Sequence, residues 1–194
     1  MARFAAITLL FFFTVACSST PVLERGDAQG VEVSSAEVTQ ALAYLKQHAD
    51  RYRLNDPEKQ LVFRSIKKDR LGFKHLYFQP VLAGVPFWRK RILVHLNRSG
   101  EVYRVSGKGA GLLSLSTEPR LSEAEIMPLA LALMAEGEMR WKVKQSQLYI
   151  YLPWHNEATL VYEVELHRGL VRQFVLLDAN SGQLVKRVEG SPSL

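Results

Sequence analysis

Apolar positions recur along this chain at two spacings, and the switches between them predict its elements. From Ser34 to about Asp50 the spacing is helical: Val38, Ala41, Leu42, Leu45 and Ala49 fall on one face. Ser34 and Glu37 stand in capping-box register, each side chain placed to satisfy a backbone N–H of the first turn. Asn55-Asp56-Pro57 predicts a turn. From Leu61 the period shortens to two. Residues 61–66 read as a strand, and Lys67-Lys68-Asp69-Arg70 as a solvated hairpin turn. A second strand ends near Leu82, where Ala83-Gly84-Val85-Pro86 breaks it. Residues 91–96 are the next strand, with Ile92, Val94 and Leu96 sharing a face. Asn97-Arg98-Ser99-Gly100 is a turn in which Gly supplies positive φ without steric cost, and 101–105 is a further strand.

The pattern then starts again. Leu121-Ser122-Glu123-Ala124-Glu125 opens a second helix with the same capping-box spacing, Ser122 to Glu125, and an apolar face of Ile126, Leu129, Ala130, Leu133 and Met134. Pro128 removes one helical hydrogen bond. Strands follow at 147–152, 159–167, 171–177 and 183–188. In 159–167 the alternation is clean: Leu160, Tyr162, Val164 and Leu166 point inward, and Glu163, Glu165 and His167 are expected on a solvent face. The halves end in similar words, LNRSGEVYRVSG at 96–107 and LDANSGQLVKRVEG at 177–190. Between them, Gly107-Lys108-Gly109-Ala110-Gly111 lacks the spacing and the Lys-Ser/Thr pair of a phosphate-binding loop and reads as a flexible linker. Each half is a capped helix and a meander of strands, and each must bury one apolar face against the other.

Within 72–107, Gly72-x-x-His75, Tyr77-x-Gln79, Gly84-Val85-Pro86, Val94-His95-Leu96 and Ser99-Gly100-Glu101-Val102 resemble the FTP motif of fungalysin and thermolysin propeptides. Trp88-Arg89-Lys90 stands where that family more often has a small, Gly-containing bend. The second half, through LSEAEIMPLALALM and LVYEVELHRGLVRQFVLLDANSGQLVKRVEG, resembles the PepSY domain that follows FTP in such propeptides. The resemblance implies an α+β fold of two tandem helix-plus-antiparallel-meander (cystatin-like) units. The expected layout is a signal segment at 1–16, a flexible tether at 17–33, an FTP-like unit at 34–107, a linker at 108–120, a PepSY-like unit at 121–190 and a tail at 191–194.

Composition adds compartment more than chemistry. The chain of 194 residues is 47% hydrophobic and 23% charged, which is the balance of a folded protein. A formal charge of +6 favours an acidic partner or anionic surface, but with no dense basic tract it does not argue for nucleic acid. The single cysteine, Cys17, excludes an internal disulfide. It follows Arg3 and an apolar run from Phe4 to Val15 that is too short to span a bilayer and suits a secretory signal. Thr14-Val15-Ala16-Cys17 resembles a bacterial lipobox, with Thr14 in place of the usual large aliphatic residue. Cys17 would then be acylated and hold the protein in a membrane, and Ser18 after it is similar to lipoproteins sent to the outer membrane. An ordinary signal peptide with an incidental cysteine is the other reading.

A search for catalytic groups finds none. The five histidines, His48, His75, His95, His155 and His167, are not spaced for one helix face, as a zinc protease's H-E-x-x-H requires. His75 and His95 fall on neighbouring strands, within reach of a two-His site, although hydrogen-bonded sheet histidines are the default. No serine sits in a nucleophile elbow. Glu163 and Glu165 look like a carboxylate pair but fit the solvent face of an amphipathic strand. The basic-aromatic clusters are Trp88 with Arg89, Lys90 and Arg91, and Trp141 with Arg140, Lys142 and Lys144, and Trp154 is expected in a loop after Pro153. They suit either aggregation-blocking edges or a partner interface, in which Trp and Arg are enriched.

Neither enzyme activity nor a cofactor is therefore expected. In thermolysin-type precursors the FTP and PepSY units act as chaperone and inhibitor of the protease that follows. Here Leu194 comes shortly after the second unit, so the resemblance implies a membrane-tethered, non-catalytic protein. Its expected partner is a separately encoded secreted zinc metalloprotease, bound as folding chaperone, inhibitor or both; the tail is by default a frayed terminus, with entry into the protease cleft as the other reading. An envelope binding or assembly lipoprotein without a protease partner is the alternative.

Overall fold

The computed structural model describes residues 35–134, 140–154 and 157–190. Cys17, the tether, Ser34, His155 and the 191–194 tail lie outside them. The fold is α+β and repeats one plan, a helix across one face of an antiparallel sheet.

In the first unit α1 (Ser35–Gln47) packs on a sheet in which β1 (Leu61–Lys68), β2 (Lys74–Leu82), β4 (Ile92–Leu96) and β5 (Val102–Ser106) neighbour one another in that order, with β3 (Val85–Pro86) beside β2. Ala41 and Leu45 from α1 meet Leu76, Phe78, Ile92, Val94 and Leu96 in a dry core, and Glu37 pairs with Lys74 to tie the start of α1 to β2. The turn expected at Asp56-Pro57 is the start of a short helix, α2 (Pro57–Gln60). Pro is tolerated at the first helical position because its missing N–H would be unsatisfied there anyway. The Gln60 side chain then takes the N–H groups of Asn55 (2.7 Å) and Asp56 (2.9 Å). Strand β1 continues through Lys68, two residues past the expected boundary at Ile66, so the turn into β2 begins at Asp69. There the carboxylate accepts the N–H groups of Leu71 and Phe73 at 2.9 and 3.0 Å.

The second unit places α3 (Glu123–Ala132) on a sheet ordered β6 (Lys142–Tyr151), β7 (Thr159–Arg168), β8 (Val171–Asp178) and β9 (Leu184–Glu189). The predicted cap is present: Glu125 Oε2 accepts the Ser122 N–H at 2.8 Å and the Ser122 hydroxyl at 2.7 Å. Ile126, Ala130 and Met134 enter the core, while Leu129 and Leu133 stay about 40% exposed at its rim, narrowing the apolar face read from spacing. Strand β6 starts five residues earlier than expected, because its register with β7 is carried by backbone bonds from Lys142↔His167 onward and does not need alternating side chains.

The connection at 108–120, expected to be flexible, has no regular structure but is pinned. Gly109 N–H donates to the Tyr52 carbonyl (2.8 Å) and Gly111 N–H to that of Arg53 (2.9 Å), and Ala110, Leu113 and Leu115 pack against the second core. A Cβ on Gly109 would lie 2.6 Å from the Arg53 carbonyl oxygen, so this close approach needs glycine.

Candidate interface at the seam of the two sheets

The two sheets meet along β3 and the residues just after it, Phe87 and Trp88, which reach Ile150 of β6. Ala83 and Gly84 both take positive φ (46° and 84°), which gives the tight turn whose twist matches antiparallel strands. The sequence GVP thus folds the strand back instead of only ending it. The segment after β3 is held from below by Gln79. Its Nε2 donates to the carbonyls of Phe87 (2.9 Å) and Lys90 (3.0 Å), and its Oε1 accepts the Tyr77 hydroxyl (2.9 Å). The Tyr77-x-Gln79 pair is therefore a clamp that shapes residues 87–90. Phe87 is buried in the core of the second unit and bridges to Ile150, and Trp88 N–H donates to the Ile150 carbonyl at 2.9 Å.

This placement lays Trp88 on the face of the second sheet that α3 does not cover. Trp88 Nε1–H donates to Glu163 Oε2 at 2.5 Å. The indole meets Tyr151 edge-on at 5.4 Å, and the Arg89 guanidinium lies 4.5 Å and Lys186 Nζ 5.5 Å from its ring centre. Burial raises the Glu163 pKa, against the pull of the Trp88 hydrogen bond and the Arg89 charge. Tyr149 is pushed up to about 12 by burial and by Glu163.

Glu163 and Glu165 are thus not on a solvent face. Glu165 is only 5% exposed. Burial works against its charge, but His167 Nε2 at 2.6 Å and Arg172 Nη2 at 2.6 Å, both on Oε1, hold its pKa below the usual range. The alternation rule misleads because both faces of β7 are covered. Val161 and Leu176, on the same side as Glu163, are fully buried. The resulting surface is a polar-rimmed aromatic patch over a partly dry floor, with Arg89 and Lys186 supplying positive charge at its edge.

Of the residues read from sequence as interface candidates, Trp88 and Arg89 share this patch. Arg91 is exposed beyond the Gln79 clamp, and its carbonyl lies where a Cβ on Gly107 would fall. Trp154 is 92% exposed past the end of β6. Trp141 precedes the other end of β6, roughly 30 Å from Trp88 at the rise of a strand, under the Arg168 guanidinium at 4.7 Å. Tyr149, Tyr151 and Lys186 had no individual signal, and Glu163 stood out only as half of an apparent carboxylate pair; their strand parity placed them together, but nothing in the sequence said that a loop from the other unit covers them. His75 and His95 do come together, on the helix-free face of the first sheet. Among the described residues no group of three His, Cys, Asp or Glu side chains is placed to hold a metal.

Residues 59–108 match the Fungalysin/Thermolysin Propeptide Motif, FTP. The chain is similar to Bacillolysin of Bacillus subtilis (strain 168), 28% identical over 121 residues, which is 62% of this chain and 23% of that protein. It is also similar to Bacillolysin of Bacillus amyloliquefaciens, 34% identical over 65 residues, or 34% of this chain and 12% of that one. It therefore spans less than a quarter of the length of these relatives. Among solved structures, the Bacillus megaterium YpeB C-terminal domain aligns with a TM-score of 0.43 and 17% identity, covering 83% of this chain and 67% of that domain. The clamp residues Tyr77 and Gln79, the GVP turn and the His75/His95 strands all fall inside the matched motif, and the first unit is accordingly FTP propeptide-like.

Proposed function

We propose that this protein is a membrane-tethered, non-catalytic partner of a secreted zinc metalloprotease, acting as folding chaperone, inhibitor or both. The observation that carries this reading is the FTP match at 59–108, whose clamp presents Trp88 and Arg89 on a helix-free face. A foldase and an inhibitor need the same thing, a preformed surface complementary to the native partner, and a rigid aromatic anchor flanked by Arg is the composition of interface hot spots. The likeness to Bacillolysin supports a protease of the thermolysin type as the partner. Cys17 supplies the anchor in this reading, acylated and holding the protein to the outer membrane facing the periplasm.

The test is capture from native envelope and secretome fractions, followed by titration of the protein against the protease recovered. A dose-dependent change in protease activity or refolding yield is expected. Arg89→Gly, which removes the guanidinium and suits the positive φ of 53°, should weaken that effect about tenfold. A reproducible catch without a protease, and no effect on thermolysin-type enzymes, would sink this reading in favour of an envelope-assembly role. For the anchor, Cys17→Ser should move the protein from the membrane to the soluble fraction.

A further inference from the structure

On the helix-free face of the first sheet, His75 of β2 and His95 of β4 are direct cross-strand partners. Their Nδ1 atoms face each other at 2.7 Å. Each ring is held from behind through its other nitrogen. His75 Nε2 lies 3.2 Å from Asp69 Oδ2, and His95 Nε2 lies 3.3 Å from Ser106 Oγ. Asp69 is itself fixed by the N–H groups of Leu71 and Phe73 on its other oxygen. This order settles the tautomers. Asp69 accepts only, so His75 carries its proton on Nε2 and turns a bare Nδ1 toward its neighbour. His95 must then donate from Nδ1 and accept the Ser106 hydroxyl at Nε2.

We infer that His75 and His95 form a two-imidazole site for a borderline divalent metal ion, Zn²⁺, Ni²⁺ or Cu²⁺, with Asp69 and Ser106 orienting the ligands from behind. Two nitrogens each ~2.0–2.1 Å from a tetrahedral ion are roughly 3.3 Å apart, so the pair needs to open by only ~0.6 Å, within small rotations of two part-exposed rings. On binding, His95 shifts its proton from Nδ1 to Nε2 and donates to Ser106 Oγ, so the ion displaces a shared proton without a change in total proton count. The Asp69–His75 pair is the carboxylate–histidine arrangement that raises the basicity of a ligating imidazole. The protein supplies these nitrogen ligands alone, leaving the remaining positions to water or to a side chain of another molecule. Hard Mg²⁺ and Ca²⁺, which prefer several oxygens, do not suit it.

The experiment is calorimetric titration of the metal-stripped full chain with ZnCl₂ and NiCl₂ at pH 7.5, with MgCl₂ and CaCl₂ as controls. One equivalent of Zn²⁺ is expected to bind with Kd below about 100 μM, and Mg²⁺ and Ca²⁺ not at all. His75→Gln or His95→Gln should each weaken binding more than tenfold, and Asp69→Asn by about tenfold. Arg104→Gln should tighten it several-fold, because Arg104 opposes His95 across β4–β5 and its charge repels a cation. That last variant keeps the test decisive if a histidine variant folds poorly, since a merely structural histidine pair gives no reason for affinity to rise. Binding that survives loss of both histidines, or no binding of any metal tighter than millimolar, would overturn the inference.

Discussion

The Trp88–Glu163 hydrogen bond crosses from one unit to the other, and its worth is measurable by a double-mutant cycle. An N–H donor on a half-buried carboxylate at 2.5 Å is a charge-assisted bond, for which about 1.5–3 kcal/mol is the ordinary range. Trp88→Phe removes the donor and some ring area; Glu163→Ala removes the acceptor; the double variant loses both. Subtracting the single effects from the double cancels the lost area and isolates the pair. The coupling at pH 7 should be about 2 kcal/mol, measured by urea unfolding followed by far-UV circular dichroism. pH supplies a second constraint. Burial raises the folded pKa of Glu163 above the ordinary 4.5. Its neutral form therefore contributes stability that is fully present below the unfolded value and is lost as pH rises through the raised folded value. Wild type should lose stability relative to Glu163→Gln across that window, and the Trp88 coupling should strengthen as the carboxylate ionises. A coupling under about 0.5 kcal/mol, or a wild type that gains on the Gln variant with rising pH, would refute the assignment of Glu163 as a desolvated acceptor.

Three further outcomes follow from the same surfaces. Arg172→Ala leaves Glu165, 5% exposed, with its cationic partner gone, and should cost roughly 3 kcal/mol in urea unfolding at neutral pH. Because the Glu165 pKa is depressed, this penalty should fade as pH falls through its folded value. Gly107→Ala puts a Cβ 2.2 Å from the Arg91 carbonyl oxygen at φ +94°. A loss of at least about 2 kcal/mol is expected in thermal unfolding, and a neutral result would contradict the described register of β4 and β5. Gln79→Leu removes the clamp on the Phe87 and Lys90 carbonyls and should raise amide exchange across residues 85–91 at least tenfold, well beyond its effect on β4.

Much of the fold was legible because its strands are half-buried and its turns carry glycine at positive φ. Ile92, Val94 and Leu96, or Leu160 through Leu166, announce their faces by alternation alone. Legibility failed where a backbone contact or a second covering layer decided the outcome. The first residues of β6 join the sheet through main-chain bonds that Lys142 and Lys144 do not reveal. Glu165 reads as exposed because alternation assumes one wet face, and here neither face of β7 is fully wet. Pro57 reads as a breaker because a proline is as suited to starting a helix as to ending one. At the seam, the aromatic and basic character of Trp88-Arg89 was visible, but Phe87 gives no local sign that it packs in the core of the other unit. The proximity of His75 and His95 followed from adjacent strands, whereas their exact opposition needed the register.

Phe87 has one more consequence. The chain passes from one unit to the other through 108–120, yet Phe87 and Trp88, just after β3, grip the second sheet independently of that passage. Covalent continuity and cohesion are thus separate. A single cut beside Leu112, which is 86% exposed, should yield two pieces that stay together through gel filtration, and the halves expressed as separate polypeptides should reassemble. Phe87 then serves as the plug of a plug-and-socket joint, and Phe87→Ala, which empties the socket, should be the substitution that lets the cut halves drift apart.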